Sequence, residues 1–180
     1  TIDYNYDQYN RLESILYPDQ ASVKYTYDDL NRKIAMEDAN GLTEYAYDDM
    51  SRLTWVSDPN SEQVSYEYDD KGRKTTVVYP DGKYVEYQYD DYDRIIGVND
   101  REGRITRYTY DEAGRKKTTT LPNGITTTYE YDEGNKIIGI TSVKKDGSVV
   151  LKFAYKYDGA GNRTLEEIWQ KEKHYRREYT

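Results

Sequence analysis

The sequence predicts an all-β protein, built from tandem β-hairpins of about 21 residues that form one long antiparallel sheet, curved or spiralling. Three observations support this fold class. A Tyr-x-Tyr-Asp motif recurs at nearly constant intervals, apolar and polar residues alternate around it, and short turn signals separate the alternating segments. A unit of this length holds two strands and two tight turns and leaves no room for a helix.

The repeat is defined by the spacing of its first tyrosine. From Tyr4 onward the first six intervals are 20 or 21 residues, and the last, which ends at Tyr155, is 26. We attribute the longer interval to an insertion within 142–150. The eight copies of the motif comprise Tyr4, Tyr6 and Asp7; Tyr25, Tyr27 and Asp28; Tyr45, Tyr47 and Asp48; Tyr66, Tyr68 and Asp69; Tyr87, Tyr89 and Asp90; Tyr108, Tyr110 and Asp111; Tyr129, Tyr131 and Asp132; and Tyr155, Tyr157 and Asp158.

The first strand of each unit ends in the two tyrosines. In the fourth unit Val64, Tyr66 and Tyr68 alternate with polar residues such as Glu67, a period of two that indicates a strand with one buried face. A second strand follows the arginine that comes four residues after the aspartate. Because a tyrosine ring is large and apolar, we expect the tyrosines to form the core face of the sheet, turned toward an interior.

Two kinds of turn join these strands. The fourth position of the Asp-x-x-(Gly/Asn) step holds residues that tolerate a positive φ, such as Asn10, Gly72 and Asp93. The other turn carries hairpin signals such as "PDG" at 80–82. Within the first turn we expect the aspartate to accept hydrogen bonds from backbone amides and the arginine to reach back to it.

Composition excludes several functions. Leu, Ile, Val and Phe make up only 30 of the 180 residues, but 23 tyrosines supply apolar surface, so we do not interpret the chain as disordered. A net charge of −8 argues against nucleic acid as a partner. No apolar run reaches the ~18 residues needed for membrane insertion. Since the chain contains no cysteine, disulfides, thiol catalysis and thiolate metal sites are excluded.

No enzyme, cofactor or metal site is predicted. Acid pairs such as Asp28-Asp29 recur at one place in four units, which favours a turn role over catalysis or calcium binding. His174 is the only histidine and has no accompanying nucleophile motif. Trp55 differs from the other aromatic residues because it falls on the face opposite Thr54 and Val56. It is our candidate for stacking on a ligand.

The segments "YEYDDKGRK", "YTYDEAGRK" and "YDGAGNRT" resemble the YD repeat, also called the RHS repeat. This family includes bacterial rearrangement-hotspot and wall-associated proteins, the C components of insecticidal toxin complexes, and animal teneurins. The resemblance covers 1–165 as a repeat array. Residues 166–180 form an irregular end that we interpret as the start of a truncated further unit.

The resemblance implies a β-sheet that spirals into a hollow, secreted or surface-exposed shell. In toxin members the shell encloses a C-terminal toxin domain, and in teneurins it is a scaffold for adhesion. Toxin members also carry an autoprotease core with "DPxG"-like motifs. Here Asp58-Pro59 is followed by Asn60-Ser61, so no catalytic residue is assigned from the family.

Two functions are therefore expected as alternatives. The first is a non-catalytic structural segment of a large secreted or cell-surface protein, part of a shell that encloses or presents a toxin domain. The second is an adhesion module that binds carbohydrate or a receptor, with Trp55 as the stacking residue. The expected partners are neighbouring repeats of the parent chain, and exposed strand edges favour self-association.

Overall fold

A computed structural model describes residues 1–170 and 172–179, and every regular element in these ranges is a β-strand. The strands belong to one antiparallel sheet, which confirms the predicted all-β class. The strands are β1 (Asp3–Tyr6), β2 (Leu12–Leu16), β3 (Ser22–Tyr27), β4 (Lys33–Asp38), β5 (Gly41–Tyr47), β6 (Leu53–Ser57), β7 (Gln63–Tyr68), β8 (Lys74–Val78), β9 (Tyr84–Tyr89), β10 (Ile95–Asn99), β11 (Ile105–Tyr110), β12 (Lys116–Thr120), β13 (Thr126–Tyr131), β14 (Ile137–Val143), β15 (Val149–Tyr157), β16 (Arg163–Gln170) and β17 (Lys173–Glu178).

The chain divides into two compact units, Thr1–Glu86 and Tyr87–Thr180. Within each unit, strands pair antiparallel with their neighbours in sequence, so the topology is a meander. In the first unit Tyr25 lies opposite Met36 of the next strand. In the second unit Tyr129 lies opposite Ile140 in the same way. In these repeats the first tyrosine faces an apolar residue of the next strand, whereas Tyr108 lies opposite Thr119 and Tyr155 lies opposite Glu166.

A bulge accompanies the tyrosine motif. In β3 and β4, Thr26 pairs with Ala35, but Tyr27 pairs with Lys33, which leaves Ile34 as an extra residue. The same irregularity occurs between the residue before the second tyrosine and that tyrosine in β5, β7, β11, β13 and β15. Because a bulge re-aims side chains and increases local twist, it sets the direction of the second tyrosine apart from that of the first.

The predicted turn conformations are confirmed. In the second repeat, the amide of Asn31 donates to the carbonyl of Asp28 at 3.0 Å, and the amide of Asp28 donates to the carbonyl of Arg32 at 3.0 Å. The fourth turn residue has a left-handed backbone, which Gly and Asn adopt with little strain. This position has φ between 60° and 81° in Asn10, Asn31, Ser51, Gly72, Asp93, Gly114 and Asn135.

The expectation that the tyrosines form a buried core is corrected by the structure. Tyr4 and Tyr6 are 54% and 57% exposed, and the later motif tyrosines are half-buried. Among the described residues, Val77 and Leu165 are the buried hydrophobic side chains. Within each unit the strands that the structure describes contact the strands adjacent in sequence, and the motif tyrosines from Tyr25 onward are shielded only in part.

The insertion and the end of the array are accommodated by strands. The extra residues near 142–150 lengthen β14 and β15. The two strands pair from Gly139 opposite Ala154 to Val143 opposite Val149, on either side of the turn between them. We expected residues 166–180 to be irregular, but β16 and β17 occupy most of this stretch. Lys171 and Thr180 lie outside the described residues. The motif is lost there while strand pairing continues.

Candidate functional site

The motif aspartate organises the turn that follows the second tyrosine. In the third repeat one carboxylate oxygen of Asp48, Oδ1, accepts hydrogen bonds from the backbone amides of Met50 and Arg52, both at 2.9 Å. The other oxygen, Oδ2, accepts from Arg52 Nε at 2.7 Å. The two side chains are 24% and 25% exposed, so most of this ion pair is shielded from water. The turn role predicted for the aspartate and the arginine is therefore seen directly.

The arginine does more than close its own turn, because the far side of its guanidinium reaches the next repeat. Arg52 Nη1 donates to the backbone carbonyl of Asp69 at 3.1 Å. Arg11 Nη1 donates to the carbonyl of Asp28 at 3.2 Å and to Asn31 Oδ1 at 2.8 Å. One guanidinium thus links the turns of two consecutive repeats, and this contact was not predicted from the sequence.

The second tyrosine of the next repeat completes the link. Arg52 Cζ lies 4.8 Å from the centre of the Tyr68 ring, within the range of a cation–π interaction. The Tyr68 hydroxyl donates to the carbonyl of Leu53, the residue after the arginine, at 2.8 Å. We call this set of contacts the inter-repeat clasp: an Asp–Arg pair of one repeat, the second tyrosine of the next, and the carbonyl that accepts from that tyrosine.

The clasp recurs along the chain with little change in geometry. Its arginine-to-ring distances are 4.8 Å for Arg11 and Tyr27, 4.9 Å for Arg32 and Tyr47, 4.5 Å for Arg94 and Tyr110, and 4.6 Å for Arg115 and Tyr131. Its hydroxyl-to-carbonyl distances are 2.9 Å for Tyr27 and Leu12, 2.8 Å for Tyr47 and Lys33, 2.7 Å for Tyr110 and Ile95, and 2.9 Å for Tyr131 and Lys116.

The protonation states of the clasp follow from its contacts. The hydrogen bond from the backbone amide of Arg52 lowers the pKa of Asp48, and the hydrogen bond from the Arg52 side chain lowers it further. Partial desolvation raises this pKa, but the net result lies below the ordinary value. Desolvation, with the nearby charge of Asp48, raises the pKa of Tyr68 above its ordinary value. The carboxylate is therefore ionised and the phenol neutral at pH 7, which is the combination that the hydrogen bonds require.

The clasp weakens toward the C-terminal end of the array. Lys136 takes the arginine position in the seventh repeat, and its Nζ lies 5.5 Å from the ring of Tyr157. In the eighth repeat Asn162 takes that position and donates to Asp158 Oδ2 at 3.1 Å. Arg163 instead lies over the ring of Tyr155, at 4.4 Å. The loss of the arginine coincides with the loss of the regular motif beyond residue 165.

The structure places the other candidate residues apart from the clasp. Trp55 is half-buried on β6 and lies opposite Ala46 of β5 and Ser65 of β7. It is on the face of the sheet opposite the one that carries Tyr45 and Val56. His174 stacks on Trp169, with ring centres 4.7 Å apart, at the end of the sheet. In the described residues no group of three or more acidic, histidine or cysteine side chains is placed to hold a metal ion. The clasp is therefore the repeated chemical feature of this chain.

A sheet of Tyr-x-Tyr-Asp hairpins joined by such clasps defines a repeat protein of the YD type. The model of the family described as Teneurin YD-shell matches residues 1–100, more than half of the chain, and the model described as RHS Repeat matches residues 89–125. The chain therefore belongs to the YD-shell family. No curated protein matches it. The described part of the chain contains no helix with the length and apolar character needed to cross a membrane.

Solved structures share the fold at low sequence identity. The crystal structure described as TcdB2-TccC3-Cdc42 is 17% identical, with a TM-score of 0.76 over 98% of this chain. The crystal structure of TcdB2-TccC3 without its hypervariable C-terminal region is also 17% identical, with a TM-score of 0.75. The chain spans 12% of the length of each of these proteins. At this identity the similarity shows the fold alone.

Proposed function

We propose that this chain is a non-catalytic wall segment of a larger secreted or cell-surface protein, whose complete YD shell encloses or presents a C-terminal toxin domain. The inter-repeat clasp is the observation that carries the proposal. Where the clasp forms, the aspartate, the arginine and the hydroxyl of the second tyrosine are engaged in joining one repeat to the next. We interpret these groups as structural, since each one is held by a partner within the sheet.

The distribution of these groups also favours a structural role over catalysis. An active site gathers unlike groups at one place, whereas the clasp places the same groups in several successive repeats. Arg52 and Asp48 are bound to each other and to backbone atoms, which leaves them poorly placed to act on a substrate. One fold neighbour, TcdB2-TccC3, has a hypervariable C-terminal region, which favours a variable C-terminal domain in the parent of this chain.

Protease protection in the full-length parent protein tests the enclosure. We expect the C-terminal domain to resist digestion under native conditions and to become sensitive when Arg32→Ala, Arg52→Ala and Arg115→Ala together weaken the wall. Arg107→Ala is the control, because Arg107 is exposed and has no ion pair or hydrogen bond from its side chain in the described part of the chain. A C-terminal domain that is cleaved equally in the native parent and after unfolding would refute enclosure, as would a parent with no such domain.

The second candidate function is recognition of a carbohydrate or a cell-surface receptor. It is favoured by one observation: Trp55 lies on the face away from the motif tyrosines and is only half-buried. A glycan array with the folded chain tests it. Binding that is lost in Trp55→Ala and kept in Trp169→Ala, whose ring stacks on His174, would support this function. Binding unaffected by Trp55→Ala would remove Trp55 from the site.

A further inference from the structure

The turns at one edge of the first unit expose apolar side chains. In its first three repeats, the third residue of the turn that begins at the motif aspartate donates its backbone amide to Oδ1 of that aspartate at 2.9 Å. Tyr9, Leu30 and Met50 occupy this position and are 67%, 64% and 69% exposed. Because the three turns share these hydrogen bonds, the three side chains lie in a row along the edge. Lys71 takes the position in the fourth repeat and ends the apolar row.

The turns at the opposite edge show that the turn itself does not need an apolar residue. There the amide of Gln20 donates to the carbonyl of Tyr17 at 2.9 Å, just as the amide of Asn10 donates to the carbonyl of Asp7 at 2.9 Å. The third positions of these opposite turns hold polar residues, namely Asp19, Asn40, Asn60 and Asp81. A row of exposed apolar side chains on one edge alone therefore indicates a surface that binds a partner.

Carboxylates without a paired cation lie beside this row. In the third repeat Arg52 is paired with the motif aspartate, Asp48, at 2.7 Å, and Asp49 follows that aspartate. The side chains of Asp49 and of its equivalent in the second repeat, Asp29, are exposed and have no hydrogen bond or ion pair with the residues that the structure describes. Two aspartates against one arginine leave each of these turns with an excess of negative charge. We call Tyr9, Leu30, Met50, Asp29 and Asp49 the turn-tip ridge.

We propose that the turn-tip ridge is a docking site for a basic amphipathic α-helix of a partner protein. Equivalent turns of successive repeats are two strands apart, which is about 10 Å. In an α-helix, residues seven positions apart lie on nearly the same face and about 10.5 Å apart. Apolar side chains at that interval therefore meet the three apolar side chains of the ridge in turn. Lysine or arginine residues beside them meet its two carboxylates.

An extended strand fits this edge less well than a helix does. Side chains on one face of a strand recur about every 6.7 Å, so their spacing does not match that of the turns. Backbone pairing is also not offered at the turn tips. The amides of Leu30 and Asn31 are already bonded to Asp28 within their own turn.

A second copy of this chain is a poorer occupant because it is acidic. The chain has a net charge of −8, and the part that the structure describes contains no helix. Contact between two ridges would bring Asp29 and Asp49 toward the same carboxylates of the other copy. The proposed wall function does not depend on this docking, since no residue of the ridge belongs to the inter-repeat clasp.

A synthetic helix of alanine and lysine, with three leucines spaced seven residues apart, tests the proposal. We expect the labelled peptide to bind the chain in fluorescence anisotropy. A peptide of the same composition with its leucines five residues apart places them on different faces, so it should bind about tenfold more weakly. Leu30→Ser and Met50→Ser should each weaken binding of the first peptide about tenfold, because each removes one apolar side chain that docking buries.

Variants of the opposite edge and of the carboxylates complete the test. Asn60→Ser is the matched control at the same turn position and should leave binding unchanged. Asp29→Asn combined with Asp49→Asn should weaken binding about threefold at low salt and reduce its salt dependence. Absence of binding, equal binding of the two peptides, or binding that Leu30→Ser leaves unchanged would overturn the proposal. Self-association of the chain, or capture on phosphatidylcholine vesicles, that Leu30→Ser abolishes would also overturn it, because the ridge would then serve a second copy or a membrane.

Discussion

Removal of one tyrosine hydroxyl tests whether the clasp stabilises the sheet. In Tyr68→Phe the ring and its contact with Arg52 remain, while the hydrogen bond to the carbonyl of Leu53, 2.8 Å long, is lost. A buried hydrogen bond between neutral groups contributes about 1 kcal/mol, and the partly buried carbonyl is left without this donor. We therefore expect the free energy of unfolding to fall by about 1 kcal/mol.

The matched control lies two residues earlier on the same strand. The hydroxyl of Tyr66 has no hydrogen bond to the chain in the described residues, and its ring lies 4.2 Å from Lys74 Nζ. Tyr66→Phe should therefore change the free energy of unfolding by less than about 0.5 kcal/mol, as for an ordinary surface substitution. Urea denaturation followed by the fluorescence of Trp55, on the neighbouring β6, measures both variants. Equal losses in the two variants would refute the assignment of stability to the hydroxyl of the clasp.

Four further predictions concern the pH dependence of the clasp, two glycines and the seventh repeat. Because the pKa of Tyr68 is raised in the folded state, the neutral phenol stabilises the fold fully below the ordinary pKa of 10.0, and this stabilisation is lost as the pH rises through the raised pKa. Tyr68→Phe should therefore reduce the fall of the urea midpoint at alkaline pH. The pKa values of the clasp aspartates Asp28, Asp48 and Asp90 lie below the ordinary 3.8, so the ionised carboxylates stabilise the fold fully above pH 3.8 and lose this effect as the pH falls through the lowered pKa values. A urea midpoint that does not fall in acid would contradict this. Gly41→Ala should lower the melting temperature more than Gly103→Ala, because a Cβ on Gly41, with φ of 123°, meets Pro59 at 2.8 Å, whereas a Cβ on Gly103 meets nothing within 4 Å. Lys136→Arg should raise the urea midpoint by restoring the fork that reaches the next repeat; an unchanged or lower midpoint would show that the seventh repeat does not accept a clasp.

The sequence predicts local structure well because its signals are local. The alternation around Tyr66 and Tyr68 requires only a strand period of two, and β7 runs from Gln63 to Tyr68. The fourth turn position requires a positive φ, which the composition of Asn10 and Gly72 indicates and the structure shows. The Asp–Arg contact lies within five residues, so its geometry follows from the turn alone.

Contacts between repeats could not be derived in the same way. The reach of Arg52 to the carbonyl of Asp69 depends on the register of two strands and on the bulge at Tyr68. A sequence pattern shows neither, because a bulge shifts the register by one residue without changing the motif. The partial exposure of the tyrosines was missed for a related reason. Alternation of apolar and polar residues shows which face of a strand the tyrosines share, but not how far other side chains cover that face.

The clasp explains how a sheet with few buried apolar residues holds together. In a repeat array, stability is approximately the sum of the stability of each repeat and of its contacts with its neighbours. Here Arg11, Arg32, Arg52, Arg94 and Arg115 each lie on the second tyrosine of the next repeat, so the motif residues contribute mainly to the contact term. An Asp–Arg pair alone would stabilise only its own turn, and exposed pairs of this kind contribute little. The guanidinium also contacts a tyrosine ring and a backbone carbonyl of the next repeat, so one arginine side chain couples two hairpins. The residues that shape each turn therefore also make the stability of one turn depend on the next.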